Sequence, residues 1–401
     1  VYISSSGCSS YSEAEIMSET YGSEGLVCYK DGKYYYGSFK SENGLDEISE
    51  GGKVLLVLGD GRNIVIDGSQ NMYIKSDDVA TQLENIKYRG KINLYVKASK
   101  LHAINELGMQ DYLYGVIPKE MVSSWEIEAL KAQAVVAKSY TITNYNKHRS
   151  DGFNVCATTH CQMYGGYGAE QAKTNESVDE TENFVMMYDG KPAEGYFHAS
   201  SGGRTESIGN MWNYGLDYMV GVEDEYSLGS PYDSWEVRLS AEEIRASLLK
   251  KNIDIGSIVG VKILKLSENS RVMQLGVLGT KGMHTLEKDA IRSALGSSQF
   301  KSTYFTLKDS GSSVNSGSVI GGSKAVISNS NLNNKFDKLN RFVDARVMDS
   351  SQKFISGGTF VFSGKGNGHG IGLSQYGANG MAKKGYGFED IIKHYFKGVS
   401  I

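Results

Sequence analysis

The stretch "SSWEIEALKAQAVVAKSYTITNYNKH", residues 123–148, carries the strongest helix signal in the chain and so constrains the fold most. Ile127, Leu130, Ala134 and Ala137 recur at helical spacing and mark one apolar side, with Lys131, Val135 and Lys138 along an adjacent stripe. Ser123 and Glu126, three apart, predict a capping box in which each side chain satisfies an amide left open by the first turn. The preceding text from Tyr88, "YRGKINLYVKASKLHAINELGMQDYLYGVIPKEM", reads as strand, turn, strand and a short helix around "MQDYLYGV".

With 401 residues the chain can bury a substantial core and divides more readily into two or three domains than one, at about 100–200 residues each. The expected class is α+β, with mixed sheets and helices. A core domain carrying the active-site cleft is placed at 86–232 and 330–401, a smaller α/β subdomain at 233–308, and a Gly/Ser-rich loop at 309–329. An extra N-terminal α/β module spans 1–82, with a helix-like piece at "YSEAEIMSETYG" and hairpin turns at "KDGK" and "DGRN". Its "YYYGSF" strand end, followed by "SENGLDEI", resembles SPOR-type domains over a few residues. Such domains bind peptidoglycan.

The 42 basic and 46 acidic residues leave a net charge of −4, and no basic block stands out, which argues against nucleic acid as a partner. The 26 tyrosines and 48 glycines, against three prolines, suggest many turns and a surface able to stack on ring-shaped ligands. No apolar run approaches the ~20 residues that span a bilayer. The chain begins at Val1, so the expectation is a trimmed product whose signal peptide or anchor lay upstream. Cys8 and Cys28 fit a disulfide closing the N-terminal segment, and fit two free thiols equally well.

Four constellations carry candidate chemistry. Glu120 lies in "LYGVIPKEM" among Tyr114, Ile117, Met121 and Trp125, apolar company that would help a carboxyl group keep its proton. Beside that reading stands a plain one, a solvated Glu favoured by the dipole of the helix it precedes. Lys131 and Lys138, seven apart, share a helix face and would grip a sugar hydroxyl or form a solvated charged stripe. In "YFHASSGGRT", Tyr196, His198, Ser200 and Ser201 enter a glycine pair, a binding loop rather than a nucleophile site, since no "GxSxG" elbow is present. In "GKGNGHGIGLSQYGA", His369 sits between glycines and is followed by Ser374, Gln375 and Tyr376, which suggests backbone pressed close to something. Finally, "NVCATTHCQMYGG" gathers Cys156, His160 and Cys161 within six residues, with His148 eight residues ahead of the first cysteine. A structural zinc site, a disulfide and free thiols all fit that stretch.

Taken together, "YLYGVIPKEM…ALKAQAVVAKSYT", "FHASSGGRTES" and "GHGIGLSQYGANGMA" resemble the stage II sporulation protein D and amidase-enhancer family of bacterial cell-wall proteins, from about residue 86 to 401. The resemblance implies a lytic transglycosylase acting in sporulation engulfment or wall remodelling. It would cut the bond between N-acetylmuramic acid and N-acetylglucosamine, preferably in strands stripped of stem peptides, and leave 1,6-anhydro ends. It implies Glu120 as the acid and base, and substrate roles for Lys131 and Lys138, the second being a place where the family often has Arg. Peptidoglycan glycan strands and a stage II sporulation protein P type amidase are the implied partners, and the location is extracytoplasmic, secreted or anchored through a segment absent from this chain. The resemblance to clostridial members implies a structural zinc on the Cys/His cluster, bracing the far end of the helix at 123–148. A non-catalytic, glycan-binding activator of an amidase is the alternative, and a serine hydrolase using Ser200 or Ser201 with His198 a third reading.

Overall fold

The computed structural model describes six short strands within residues 2–74 by their backbone, then residues 79–309 and 355–401 apart from 84, 98–99, 213 and 357. The Cys8–Cys28 pairing, the helix over 11–22 and the Gly/Ser-rich stretch from 310 lie outside the described residues. Eight α-helices occur among those described: α1 (Met109–Glu120), α2 (Ile127–Thr143), α3 (Ala172–Asp179), α4 (Ile208–Met211), α5 (Ala241–Leu249), α6 (Asp289–Leu295), α7 (Gln375–Lys383) and α8 (Phe388–Tyr395). With several small sheets, they make the α+β class that the sequence implies. The chain forms two compact units, Val1–Val122 with Tyr145–Asp179, and Ser123–Asn144 with Glu180–Ile401.

In the first unit, β1 (Tyr2–Ile3), β2 (Leu26–Lys30) and β3 (Lys33–Ser38) form a sheet in which β2 and β3 are the hairpin expected at "KDGK", Lys30 lying opposite Lys33. β4 (Val54–Val57) and β5 (Asn63–Ile66) make a second antiparallel pair. Next come β6 (Met72–Ile74), the hairpin of β7 (Thr81–Leu83) and β8 (Ile86–Tyr88), then β9 (Lys91–Lys97) and β10 (Lys100–Glu106). β9 pairs with both β6 and β10. Helix α1 buries Tyr112, Leu113, Val116 and Ile117 on one face. It runs through Pro118 to Glu120, farther than the sequence suggests, because a proline in the last turn forfeits a single ladder bond and Met121 N still donates to Ile117 O at 2.9 Å.

The second unit is built on α2, against which α7 and α8 pack. Its sequence suggests one apolar side, yet from Ala132 to Thr141 every residue is buried, Gln133, Lys138 and Ser139 included. Alanines let neighbours approach all round, and Ser139 and Thr141 return their hydroxyls to the carbonyls of Val135 and Ala137 at 2.8 Å. The expected capping box at Ser123 is not formed. Residues 123–125 turn first, Trp125 meets the edge of Tyr376 at 4.8 Å, and α2 starts from Glu126, whose amide donates to the Asn379 side chain at 3.1 Å. A true capping box starts α5, where Ser240 and Glu243 bond reciprocally.

The unit continues through β11 (Met187–Tyr188), β12 (Lys191–Pro192), β13 (Phe197–His198), β14 (Trp235–Ser240), β15 (Ile258–Leu266), β16 (Val272–Gly279), β17 (Gly282–Glu287), β18 (Phe305–Asp309), β19 (Thr359–Gly364) and β20 (Leu373–Ser374). β15, β16 and β17 form an antiparallel meander. β19 lies between β14 and β18, so this strand joins the 233–308 segment rather than the core to which the sequence assigned it. Phe300, Phe305 and Phe362 meet edge to face there, in a core shared with Phe360, Val237, Leu239, Val261 and Leu275.

Candidate functional site

Glu120 is the last residue of α1, not a residue ahead of a helix start. A carboxylate at that end faces the helix carbonyls instead of its amides, so the dipole argument for a plain surface Glu has the opposite sign. What holds the side chain is the backbone amide of Met163, which donates to Glu120 Oε1 at 2.8 Å. The loop bearing Met163 is tied to α1 on both sides of this contact: Gln162 Nε2 donates to Tyr112 Oη at 3.3 Å, and Gly165 N to Gly115 O at 3.0 Å. Tyr112 and Tyr164 stack at 5.4 Å beneath it. One acid is therefore fixed by a partner 43 residues away in sequence.

That loop begins at the Cys/His cluster. His148, Cys156, His160 and Cys161 place one donor atom each within 4.8 Å of one another, and the two cysteines are free thiols rather than a disulfide. His160 Nδ1 lies 3.2 Å from His148 Nε2 and 3.8 Å from each sulfur. Tetrahedral zinc, at about 2.0–2.1 Å to nitrogen and about 2.3 Å to sulfur, sets ligand–ligand edges of roughly 3.4 and 3.6 Å, so the donor set and its spacing fit that ion. His148 Nδ1 contacts Asp151 Oδ2 at 3.0 Å, the outer carboxylate that orients a metal-binding imidazole. Burial pushes the Cys156 thiol up, but hydrogen bonds from Thr158 and His160 outweigh it and hold the group at about 6, within reach of the thiolate that a metal requires.

The other sequence motifs fall in the second unit, and the fold joins two of them. β13 pairs in parallel with β20, setting Phe197 opposite Leu373 and His198 opposite Ser374. Ser200 and Asn367 exchange backbone hydrogen bonds at 3.1 and 2.8 Å. Ser200, Ser201 and Ser374 are 0% exposed and bond within the chain. Ser201 Oγ donates to Asp224 Oδ2 at 2.6 Å, and Ser374 Oγ caps α7 by accepting from Gly377 N. Gln375 is buried against Gln133, while Tyr376 is half-buried between Trp125 and Tyr232. His198 Nδ1 meets Ile371 O at 3.1 Å and neither serine hydroxyl, so the Ser–His pair of a hydrolase is not assembled. The glycines of "GNGHGIG" admit these neighbours: at Gly368, with φ of 107°, a Cβ would come within 2.7 Å of His198 Cβ, and at Gly370 it would overlap the Arg271 guanidinium.

Burial is also the main influence on the two histidines. It lowers His198 well below the ordinary range, helped by the charges of His369 and Arg271. His369 is held at about 4 by burial and by Arg271, against the opposing charge of Asp289. Tyr196 donates to Glu194 at 2.5 Å and packs on Trp212 at 4.6 Å, with Tyr214 exposed beside them. Lys131 Nζ is paired with Glu128 and Glu180 at 2.8 and 2.5 Å, and Lys138, 6% exposed, donates to the carbonyls of Thr181 and Glu182 at 2.6 and 2.7 Å. Sequence reasoning missed Asp224, Tyr395 and Arg271. Asp224 takes hydrogen bonds from Ser201 and Tyr395, 23 and 171 positions away, and Arg271 Nη2 donates to Ser201 O at 2.9 Å. No local pattern announces partners so distant.

Residues 97–188 match a family model described as stage II sporulation protein, and residues 227–323 match a domain of unknown function. The amidase enhancer of Bacillus subtilis (strain 168) is 30% identical over 308 residues, covering 72% of this chain and 40% of that protein. The chain thus spans less than half the length of that relative. The stage II sporulation proteins D of Bacillus amyloliquefaciens and Bacillus subtilis (strain 168) are each 25% identical over 325 residues, with 77% of this chain aligned to 78% and 79% of theirs.

Proposed function

Since this chain belongs to the stage II sporulation protein D and amidase-enhancer family, we propose that it is a peptidoglycan lytic transglycosylase with Glu120 as its acid and base. The observation that carries the proposal is the fixed Glu120 carboxyl, one oxygen anchored by the Met163 amide at the end of α1. Glu120 protonates the leaving glycosidic oxygen between N-acetylmuramic acid and N-acetylglucosamine. As a carboxylate it then accepts the proton of the muramoyl 6-hydroxyl, which attacks the anomeric carbon and closes the 1,6-anhydro ring. Proton and electron pairs balance within one carboxyl group, so no second carboxylate and no attacking water enter, in contrast to two-carboxylate glycosidases.

His148, Cys156, His160 and Cys161 would hold a structural zinc, which when bound cross-links the loop that carries Met163. The protein acts outside the cytoplasm on glycan strands, in sporulation engulfment or wall remodelling, alongside a cell-wall amidase of the stage II sporulation protein P type. The test is product analysis: amidase-treated peptidoglycan is digested, and anhydromuramoyl ends are counted with the wild type and with Glu120→Gln, whose side-chain oxygen still accepts from Met163. Ends are expected from the wild type alone. Their absence from both digests would refute the reaction.

The relative named amidase enhancer favours a second reading, a non-catalytic glycan-binding activator. Faster peptide release by an amidase in the presence of this chain, with glycan length unchanged, would support that reading over the first.

A further inference from the structure

Against the last turn of α1, at Lys119, lies a concavity that neither the reaction nor the metal cluster uses. It has a volume of about 490 Å³ and is lined by Gln82, Asn85, Lys87, Lys119, Gly165 and Ala169, all within the first unit. Lys119 is the residue before Glu120 on α1, and Lys87 is the middle residue of β8. Both are exposed, and neither has an acidic partner among the described residues. By contrast, Arg89 nearby is consumed by a two-pronged bond to Glu170, at 2.6 and 2.8 Å. The Lys119 stem lies flat on Gly165, where a Cβ would come within 2.9 Å of Lys119 Cδ, so this wall is shaped around the lysine. The segment 163–169 serves both places: Met163 holds the Glu120 carboxyl and Gly165 and Ala169 line the concavity.

A pocket with two ammonium groups, two side-chain amides and a small apolar wall selects an anion carried on a polar, hydrogen-bonding body. Resting on the reading of the substrate as a peptidoglycan strand, we propose that this concavity binds the lactyl carboxylate of a muramoyl residue that has lost its stem peptide. While the peptide is attached, that carboxyl group is an amide and carries no charge. Removal of the peptide exposes one anion per muramoyl residue, and Lys87 together with Lys119, the residue before Glu120, detects it. Lys87 and Lys119 are binding residues in this scheme and touch no reacting atom.

The experiment measures binding in the Glu120→Gln background, so that strands stay uncut, with three probes: stripped glycan strands, the same strands with carboxylates converted to amides, and peptide-bearing strands. Two solvent-facing ion pairs predict a preference of about tenfold for stripped over amidated strands at ~50 mM salt, largely screened at ~500 mM. Peptide-bearing strands should bind like the amidated ones. Adding Lys87→Gln and Lys119→Gln should bring the preference within about twofold of unity, and adding Lys87→Arg and Lys119→Arg should preserve it. Equal binding of all three probes, or a preference that survives the glutamine pair, overturns the inference. The reaction is judged separately: a wild type that makes no anhydro ends refutes the transglycosylase, while the probe preference still decides this pocket.

Discussion

Lys138 offers the sharpest division between a residue that binds substrate and one that holds the fold. Its ammonium group is buried and donates to two backbone carbonyls, those of Thr181 and Glu182. Replacing it by Met keeps most of the stem's volume but leaves both carbonyls without that donor. A hydrogen bond to a charged group contributes about 1.5–3 kcal/mol, and the two together are partly offset by the cost of keeping an ammonium out of water. The net loss expected for Lys138→Met is on the order of 3 kcal/mol, about 6–12 °C in melting temperature for a unit of this size. Calorimetry gives the melting temperature, and binding of Lys138→Met to stripped glycan strands, measured well below it, gives the second readout. Destabilisation with binding nearly unchanged is the expected pair of results. A variant that melts within about 1 °C of wild type and binds tenfold more weakly would refute the reasoning, because the ammonium would then be spent on substrate.

The metal cluster makes a prediction of its own: zinc measured by atomic emission should accompany the purified protein, fall away in Cys156→Ser, and be lost to chelator about 10–100-fold more readily in Asp151→Asn. Acid should destabilise the second unit through three of its histidines, His369, His198 and His394, whose folded values lie below the ordinary 6.5 because of burial. The unfolded chain then binds more protons across that gap, so stability is fully present above about 6.5 and declines as pH falls toward 4. For His369 alone the loss is on the order of 3 kcal/mol. Asp224 opposes it, since burial raises its value and protonation on acidification relieves a buried charge. Urea midpoints measured from pH 7 to 4 check the slope, and His369→Gln should flatten it.

What the sequence revealed was local, and what it hid was distant. The Cys/His cluster was legible because three of its members lie within six residues and the fourth stands eight residues ahead of the first cysteine. The hairpin at "KDGK" was legible because two residues between two alternating strands leave few other geometries. The start of α2 was misplaced although Ser123 and Glu126 have the right spacing, because Asn379, 253 residues from Glu126, claims the amide. In the same way Lys131 and Lys138 show their spacing in sequence but not the partners they find beyond the helix, at Glu180, Thr181 and Glu182. The glycines around His369 did signal close backbone approach. Their neighbours are His198 and Arg271 of the chain itself, which periodicity and composition could not tell from a ligand.

The cluster and the acid are less separable than their sequence positions suggest. His148, Cys156, His160 and Cys161 share a compact unit with α1 and Glu120. Cys161 is two residues from Met163, and only Gln162, itself bonded to Tyr112 of α1, lies between them. A displacement of the Cys161 backbone must therefore pass to the Met163 amide or be absorbed by a residue already tied down on a buried tyrosine. Glu120 is oriented by that amide. The cost of losing a ligand therefore falls on the position of the carboxyl group as directly as on the stability of the loop. Catalysis that depends on where one proton is held is sensitive to shifts of about 1 Å that a melting curve would register only weakly.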